Sequence, residues 1–208
     1  MSNPGLLITL EGVDGGGKTT QASLLVEDLE AAGHEVVRLR EPGGTRLSEK
    51  LRLLVLDPQY EEMCDECELL LYEAARAQLV HQIIRPALER GAVIVCDRFF
   101  DSTYAYQAGG RGLPRDLVKT ANDLGRCGIV PNATLVFDID PKEALTRATH
   151  EGADRLESEG MEFQQRVRDE YLRLAREEPD RVHIVDAIGT VEVVHARVRE
   201  ALRGVVSL

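Results

Sequence analysis

The 208-residue sequence is short of positive charge, with 25 lysines and arginines against 36 aspartates and glutamates and a formal net charge of −11. That balance argues against general binding to nucleic acid or to anionic membranes. It leaves nucleotides open, because they need only a local pocket of Arg, Lys and backbone N–H groups. No apolar run reaches membrane-spanning length. The opening Met1-Ser2-Asn3-Pro4-Gly5 has no basic region, so no signal peptide is evident. Cysteine is scarce. Of four, Cys64 and Cys67 have a metal-type spacing without a second pair nearby, and Cys96 sits within an apolar run. Reduced thiols in a cytoplasmic protein are the expected reading. Internal repeats, low-complexity linkers and the Asn-Lys-x-Asp element of guanine-reading switches are missing, as is a second basic cluster that would grip a polymer.

What is present centres on Gly12-Val13-Asp14-Gly15-Gly16-Gly17-Lys18-Thr19, which fits the phosphate-cradling pattern G-x-x-x-x-G-K-[ST]. Its glycines let the backbone turn tightly and bring several N–H groups onto one anion. Lys18 adds a mobile cation for the outer phosphates, and the Thr19 hydroxyl can ligate Mg²⁺. The apolar run Leu6-Leu7-Ile8-Thr9-Leu10 precedes the loop as a buried strand. From Thr20 onward a helical pattern opens, and its N-terminus adds dipole toward the phosphates.

Strand-like and helical patterns alternate along the chain, which predicts an α/β fold with a mainly parallel sheet. Further strands are expected at Glu35–Leu39, Ala92–Cys96, Ala133–Phe137 and His183–Val185. Helices are expected from Lys18 to about Ala32, over Leu47–Leu56, and as one long helix from about Cys64 to Glu89. Others follow at Ser102–Gln107, Pro114–Arg126, Pro141–Arg147, Met161–Glu178 and Val191–Arg203, with Gly109-Gly110-Arg111-Gly112 as a flexible separator. The polar segment Thr149–Gly160 reads as a mobile loop. One domain over 1–208, with a lid at about 148–160, is the expected organisation.

Five further segments recur in order: Arg40-Glu41-Pro42-Gly43-Gly44-Thr45, Ala75-Arg76-Ala77-Gln78-Leu79, Asp97-Arg98-Phe99, Ala105-Tyr106-Gln107-Ala108-Gly109-Gly110-Arg111-Gly112 and Asp154-Arg155-Leu156-Glu157. With the phosphate loop they resemble the thymidylate kinases over nearly the whole chain, the last segment resembling that family's lid. The resemblance implies a three-layer P-loop kinase fold with a five-stranded parallel sheet in the order 2-3-1-4-5, and a homodimer. It implies phosphoryl transfer from ATP to dTMP, giving dTDP and ADP, with Mg²⁺. A kinase for another nucleoside monophosphate and a nucleotide-binding regulator of low turnover are the alternatives.

Carried over by position, Gly12 through Thr20 would cradle ATP, and Arg147 resembles the residue that stacks on adenine. Tyr72 would stack on thymine from the same helix face as Arg76. Arg76 would donate to a thymine carbonyl, where cytosine presents an amino group. Thr103 and Gln107 resemble the polar contacts to the base, and Tyr106 a wall beside the deoxyribose. Arg52 and Arg98 resemble the clamps on the monophosphate, since a planar guanidinium pairs two oxygens at once. Asp97 ends an apolar strand as a Walker-B-type carboxylate would, to hold Mg²⁺ through water beside Thr19 or to orient the acceptor, and Asp14 would accept from the 3′-hydroxyl. The bland alternatives are a solvated helix arginine at 76, a core tyrosine at 106 and surface salt bridges for the aspartates. Some family members carry a catalytic arginine near the place held here by Gly15, and others carry it in the lid. With no arginine in this loop, Lys18, Asp97, Arg98 and Arg155 form the expected catalytic set, with His150 a weaker cation in the lid.

Overall fold

The computed structural model describes residues 5–147, 155–156 and 159–208. Five strands form one sheet: β1 Leu6–Glu11, β2 Val36–Arg40, β3 Val93–Asp97, β4 Ala133–Asp138 and β5 Val182–Asp186. All pairings are parallel and the order is β2-β3-β1-β4-β5, as expected. Alternation along the strands sorts side chains into two apolar layers. Leu7, Ile94 and Cys96 pack with Leu79, Val80, Ile84 and Phe99 on one face. Ile8, Leu10, Val93 and Val95 pack with Leu25, Leu29, Val167 and Val198 on the other.

The described helices are α1 Lys18–Ala31, α2 Arg46–Leu56, α3 Asp65–Leu79, α4 Arg85–Glu89, α5 Phe100–Thr103, α6 Arg115–Gly125, α7 Pro141–Arg147, α8 Met161–Glu177 and α9 Val191–Ala201. None is long and apolar enough to cross a membrane. The Thr45 side chain starts α2 by accepting from the Ser48 N–H at 3.0 Å, which aims the turn of residues 41–44 at the sheet edge.

Two expectations need correction. The long helix over Cys64–Glu89 is divided by a π-helical turn, Val80–Ile84, between α3 and α4. Pro86 has no N–H to give and its ring crowds the carbonyl four residues back, so the ladder widens there. Nor do Gly109 and Gly110 form a flexible separator. They close a second π-helical stretch, Tyr104–Gly110, against which α8 packs. A Cβ on Gly110 would sit 2.5 Å from the Phe163 ring, so glycine serves close approach there. Of the expected lid, residues 148–154 and 157–158, with His150 among them, lie outside the described residues.

Candidate active site

The register that pairs Leu10 with Asp97 brings the phosphate loop beside the end of β3. The Thr19 hydroxyl, at the start of α1, donates to Asp97 Oδ2 at 3.3 Å. A hydroxyl and a carboxylate so close together are the hard oxygen donors a divalent cation takes. Lys18 Nζ donates to the carbonyls of Gly12 at 3.0 Å and Val13 at 2.8 Å, and lies 3.5 Å from Asp14. Burial, reinforced by the charge of Arg98, lowers the Lys18 pKa, with Asp14 opposing. Gly15 has φ 82°, and a Cβ there would land on the Ala144 carbonyl oxygen of α7. This loop conformation has no room for any side chain at 15, arginine included.

Arg98 is held in the left-handed region at φ 69°. Such a conformation costs on the order of 1–3 kcal/mol and persists only where its surroundings enforce it. Two bonds do so: the Arg98 N–H donates to the Leu10 carbonyl at 2.9 Å, and the Phe99 N–H to Glu11 Oε1 at 2.7 Å. The turn sends the guanidinium to Asp14 Oδ1 at 2.6 Å and the Tyr106 hydroxyl at 3.0 Å, across the Tyr106 ring. Burial would raise the Asp14 carboxyl, but Arg98 and Lys18 hold it well below the usual carboxylate range. Beneath the clamp, buried Glu11 also accepts from Ser102 Oγ at 2.5 Å and the Tyr171 hydroxyl at 2.8 Å. Burial, with the Asp101 charge, pushes the Glu11 carboxyl up to about 7 against Arg98 and these donors.

At the other end, Arg76 of α3 is 2% exposed. Its Nε donates to Glu41 Oε2 at 2.8 Å, and its Nη1 to Glu73 Oε1 at 2.5 Å, Thr103 Oγ1 at 2.9 Å and Asn122 Oδ1 at 3.1 Å. Among the described residues nothing accepts from Nη2. Burial pushes the Glu41 carboxyl up to about 7, with Arg76 opposing. The Thr103 hydroxyl in turn donates to Glu73 at 3.2 Å, and Gln107 Nε2 donates to Glu68 at 2.8 Å. Asp14, Lys18, Thr19, Arg52, Tyr72, Arg76, Asp97, Arg98, Thr103, Tyr106, Gln107 and Arg147 line one cavity of about 580 Å³.

The thymidylate kinase family profile matches residues 10–198. The chain is 47% identical over 208 residues to a thymidylate kinase of Desulfosudis oleivorans, covering 96% of this chain and 97% of that one. It is also 47% identical to a thymidylate kinase of Pseudomonas putida over 203 residues, 97% of each chain. The fold matches the crystal structure of thymidylate kinase from Ehrlichia chaffeensis with a TM-score of 0.80 at 34% identity, covering 96% of this chain and 99% of that one. This chain belongs to the thymidylate kinase family. Within the family frame, the cavity brings together thirteen of the expected side chains, Thr20 included, with Gly15 and Gly17 of the loop, but not Arg155.

The Arg155 guanidinium pairs with Glu68 Oε2, and its Nε donates to the Val55 carbonyl at 3.3 Å. Its backbone N–H reaches the Leu56 carbonyl at 3.3 Å. Among the described lid residues, its neighbour Leu156 is the one that lines the cavity. The expected transition-state charge is therefore held on α2 and α3 instead, because a buried carboxylate there outcompetes solvent for it. Arg147 lines the cavity while bonding the Ala187 carbonyl at 3.0 Å and Glu143 at 2.5 Å. The residues missed are acids: Glu11, Glu68 and Glu73 behind the cavity wall, and Glu41 in it. Only Glu11, charged at the end of an apolar run, and Glu41, inside a quoted segment, carry a sequence signal.

Proposed function

We propose that this chain transfers the γ-phosphoryl of ATP to dTMP, with ATP on the Gly12–Thr20 loop and dTMP at the Arg76 end. The observation that carries the reading is one cavity lined both by Lys18, Thr19 and Asp97 and by Arg76, Thr103 and Gln107, with Arg98 in its wall. An oxygen of the dTMP phosphate attacks the γ-phosphorus while the bond from that phosphorus to the β,γ-bridging oxygen breaks, leaving ADP. No covalent enzyme intermediate is needed. Thr19 and Asp97 are the residues that would hold Mg²⁺, which supplies Lewis-acid neutralisation of phosphate charge. Lys18 follows the migrating charge by exchanging the loop carbonyls for phosphate oxygens. Arg98 and Arg52 fix the acceptor phosphate, Asp14 takes the 3′-hydroxyl, Tyr106 walls the sugar, Tyr72 stacks on the base and Arg147 meets the adenine. Arg155 we assign to fastening residues 155–156 onto α2 and α3 through Glu68.

We also propose one domain over 1–208 with a lid at about 148–160, working as a homodimer in the cytoplasm. Leu53, Leu70 and Leu124, 64%, 64% and 77% exposed, stand on α2, α3 and α6, where α3 packs against both others; a second copy would cover them. Coupled ADP-release kinetics with dTMP, dUMP and dCMP test the activity. The expected result is Mg²⁺-dependent turnover with kcat/KM for dTMP well above dCMP; equal rates with dCMP would overturn the assignment of the base end.

A further inference from the structure

Gln107 is a side chain whose chemical reading depends on which way its amide faces. One face offers an acceptor and the other a donor, and either fits the same space. In this fold the choice is made by a residue behind it. Glu68 of α3 is 0% exposed, and it accepts from Gln107 Nε2 at 2.8 Å. Two arginines surround the same carboxylate: Arg111 donates from Nη2 at 3.0 Å and Nε at 3.3 Å, and Arg155 pairs with Oε2. A carboxylate so surrounded accepts and does not donate. Turning the amide over would set Gln107 Oε1 against Glu68 Oε1, two acceptors in a buried place, which is among the costlier polar mismatches. Gln107 lines the cavity, and no described residue donates to its Oε1. The polar atom it keeps for a ligand is therefore an acceptor.

We infer that Glu68, which makes no cavity wall itself, is a specificity-determining positioning residue. By holding the Gln107 amide acceptor-outward, it makes the base site demand an N–H at the ring position facing Gln107. The inference rests on the reading of this end as the base site. Thymine carries a donor at N3. Cytosine carries a lone pair there, so a fixed Oε1 repels it, whereas a free amide could turn and offer N–H. Arg76 discriminates at the neighbouring exocyclic group; Glu68, acting through Gln107, adds discrimination at the ring nitrogen. The Thr103 hydroxyl, engaged between Arg76 and Glu73, leaves this role to Gln107.

The test is Glu68→Gln, whose amide can accept or donate and so frees Gln107 to turn. The readout is the ratio of kcat/KM for dTMP to that for dCMP. A loosened lid slows both substrates together and cancels in the ratio. The ratio is expected to fall about tenfold, the scale of one hydrogen bond gained or lost, chiefly through faster use of dCMP. In a Gln107→Met background, E68Q is expected to leave the ratio unchanged, since the amide it acts through is gone. Should E68Q fail to melt cooperatively, E68Q/R155M, which removes one of the two arginines that lose their partner and leaves Arg111 its bond to Glu159, takes its place. A wild-type ratio in the variant, or an equal fall in the Gln107→Met background, overturns the inference. A wild-type chain that uses dCMP as readily as dTMP overturns instead the reading of the cavity, and the inference with it.

Discussion

Glu11→Gln isolates what a buried acid beneath the phosphate clamp contributes. Glu11 accepts from the Phe99 N–H, Ser102 and Tyr171, yet burial still pushes it up to about 7 from an ordinary carboxyl value of 4.5. Because the folded pKa is the higher one, folding favours the protonated form. Its contribution to stability is fully present below about 4.5 and is lost as pH rises through about 7. A difference of about 2.5 units at 1.36 kcal/mol each totals on the order of 3 kcal/mol, of which about 2–3 kcal/mol falls between pH 5 and 8. Glutamine keeps an acceptor for Phe99, and the Ser102 and Tyr171 hydroxyls can reverse to accept from its amide, so the fold survives. Urea denaturation of both proteins from pH 5 to 8 measures the effect. The advantage of wild type over E11Q should shrink by about 2–3 kcal/mol toward pH 8. In melting temperature that is roughly 5–10 °C for a chain of this size. Glu41 titrates in the same window mainly through its own burial, the Glu11 charge being the smallest of the influences on it, so most of its contribution cancels in the difference. Parallel stability profiles would show that Glu11 does not titrate near neutrality and would refute the reasoning.

Two further outcomes follow from the site. Arg155→Met should lower kcat by less than about tenfold, because the guanidinium serves Glu68; a loss of a hundredfold, the scale of one charge donor removed from a transferring group, would return Arg155 to the catalytic set. Gly15→Arg should not install a working loop arginine, since both φ 82° and the Ala144 carbonyl forbid the side chain; melting well below wild type with reduced ATP affinity is expected, and a stable variant with raised kcat would show that the loop has another conformation.

The sheet is legible in the sequence because parallel strands covered on both faces are written as unbroken apolar runs, Val93-Ile94-Val95-Cys96 being the plainest. The phosphate loop is legible for a related reason: its backbone needs glycine at particular places, and glycine has few substitutes there. The π-helical turns are harder. Pro86 is visible, but whether it ends a helix or only widens it depends on the apolar face of Val80 and Ile84, which stays buried on the sheet and keeps the chain helical. Gly109 and Gly110 look like a hinge, until Phe163, Arg166 and Glu170 of α8 are laid over them from more than fifty residues away in sequence. The acids are hardest of all. Glu68 and Glu73 carry no local signal on α3, because what covers them arrives late in the chain: Arg155, 87 positions on from Glu68, and Gly125 of α6, against which the Glu73 carboxylate packs. Residues that touch a ligand recur in local motifs, since the ligand demands their chemistry. Those that orient them answer only to the fold, so a positioning acid such as Glu68 becomes visible once the partner of Gln107 is known.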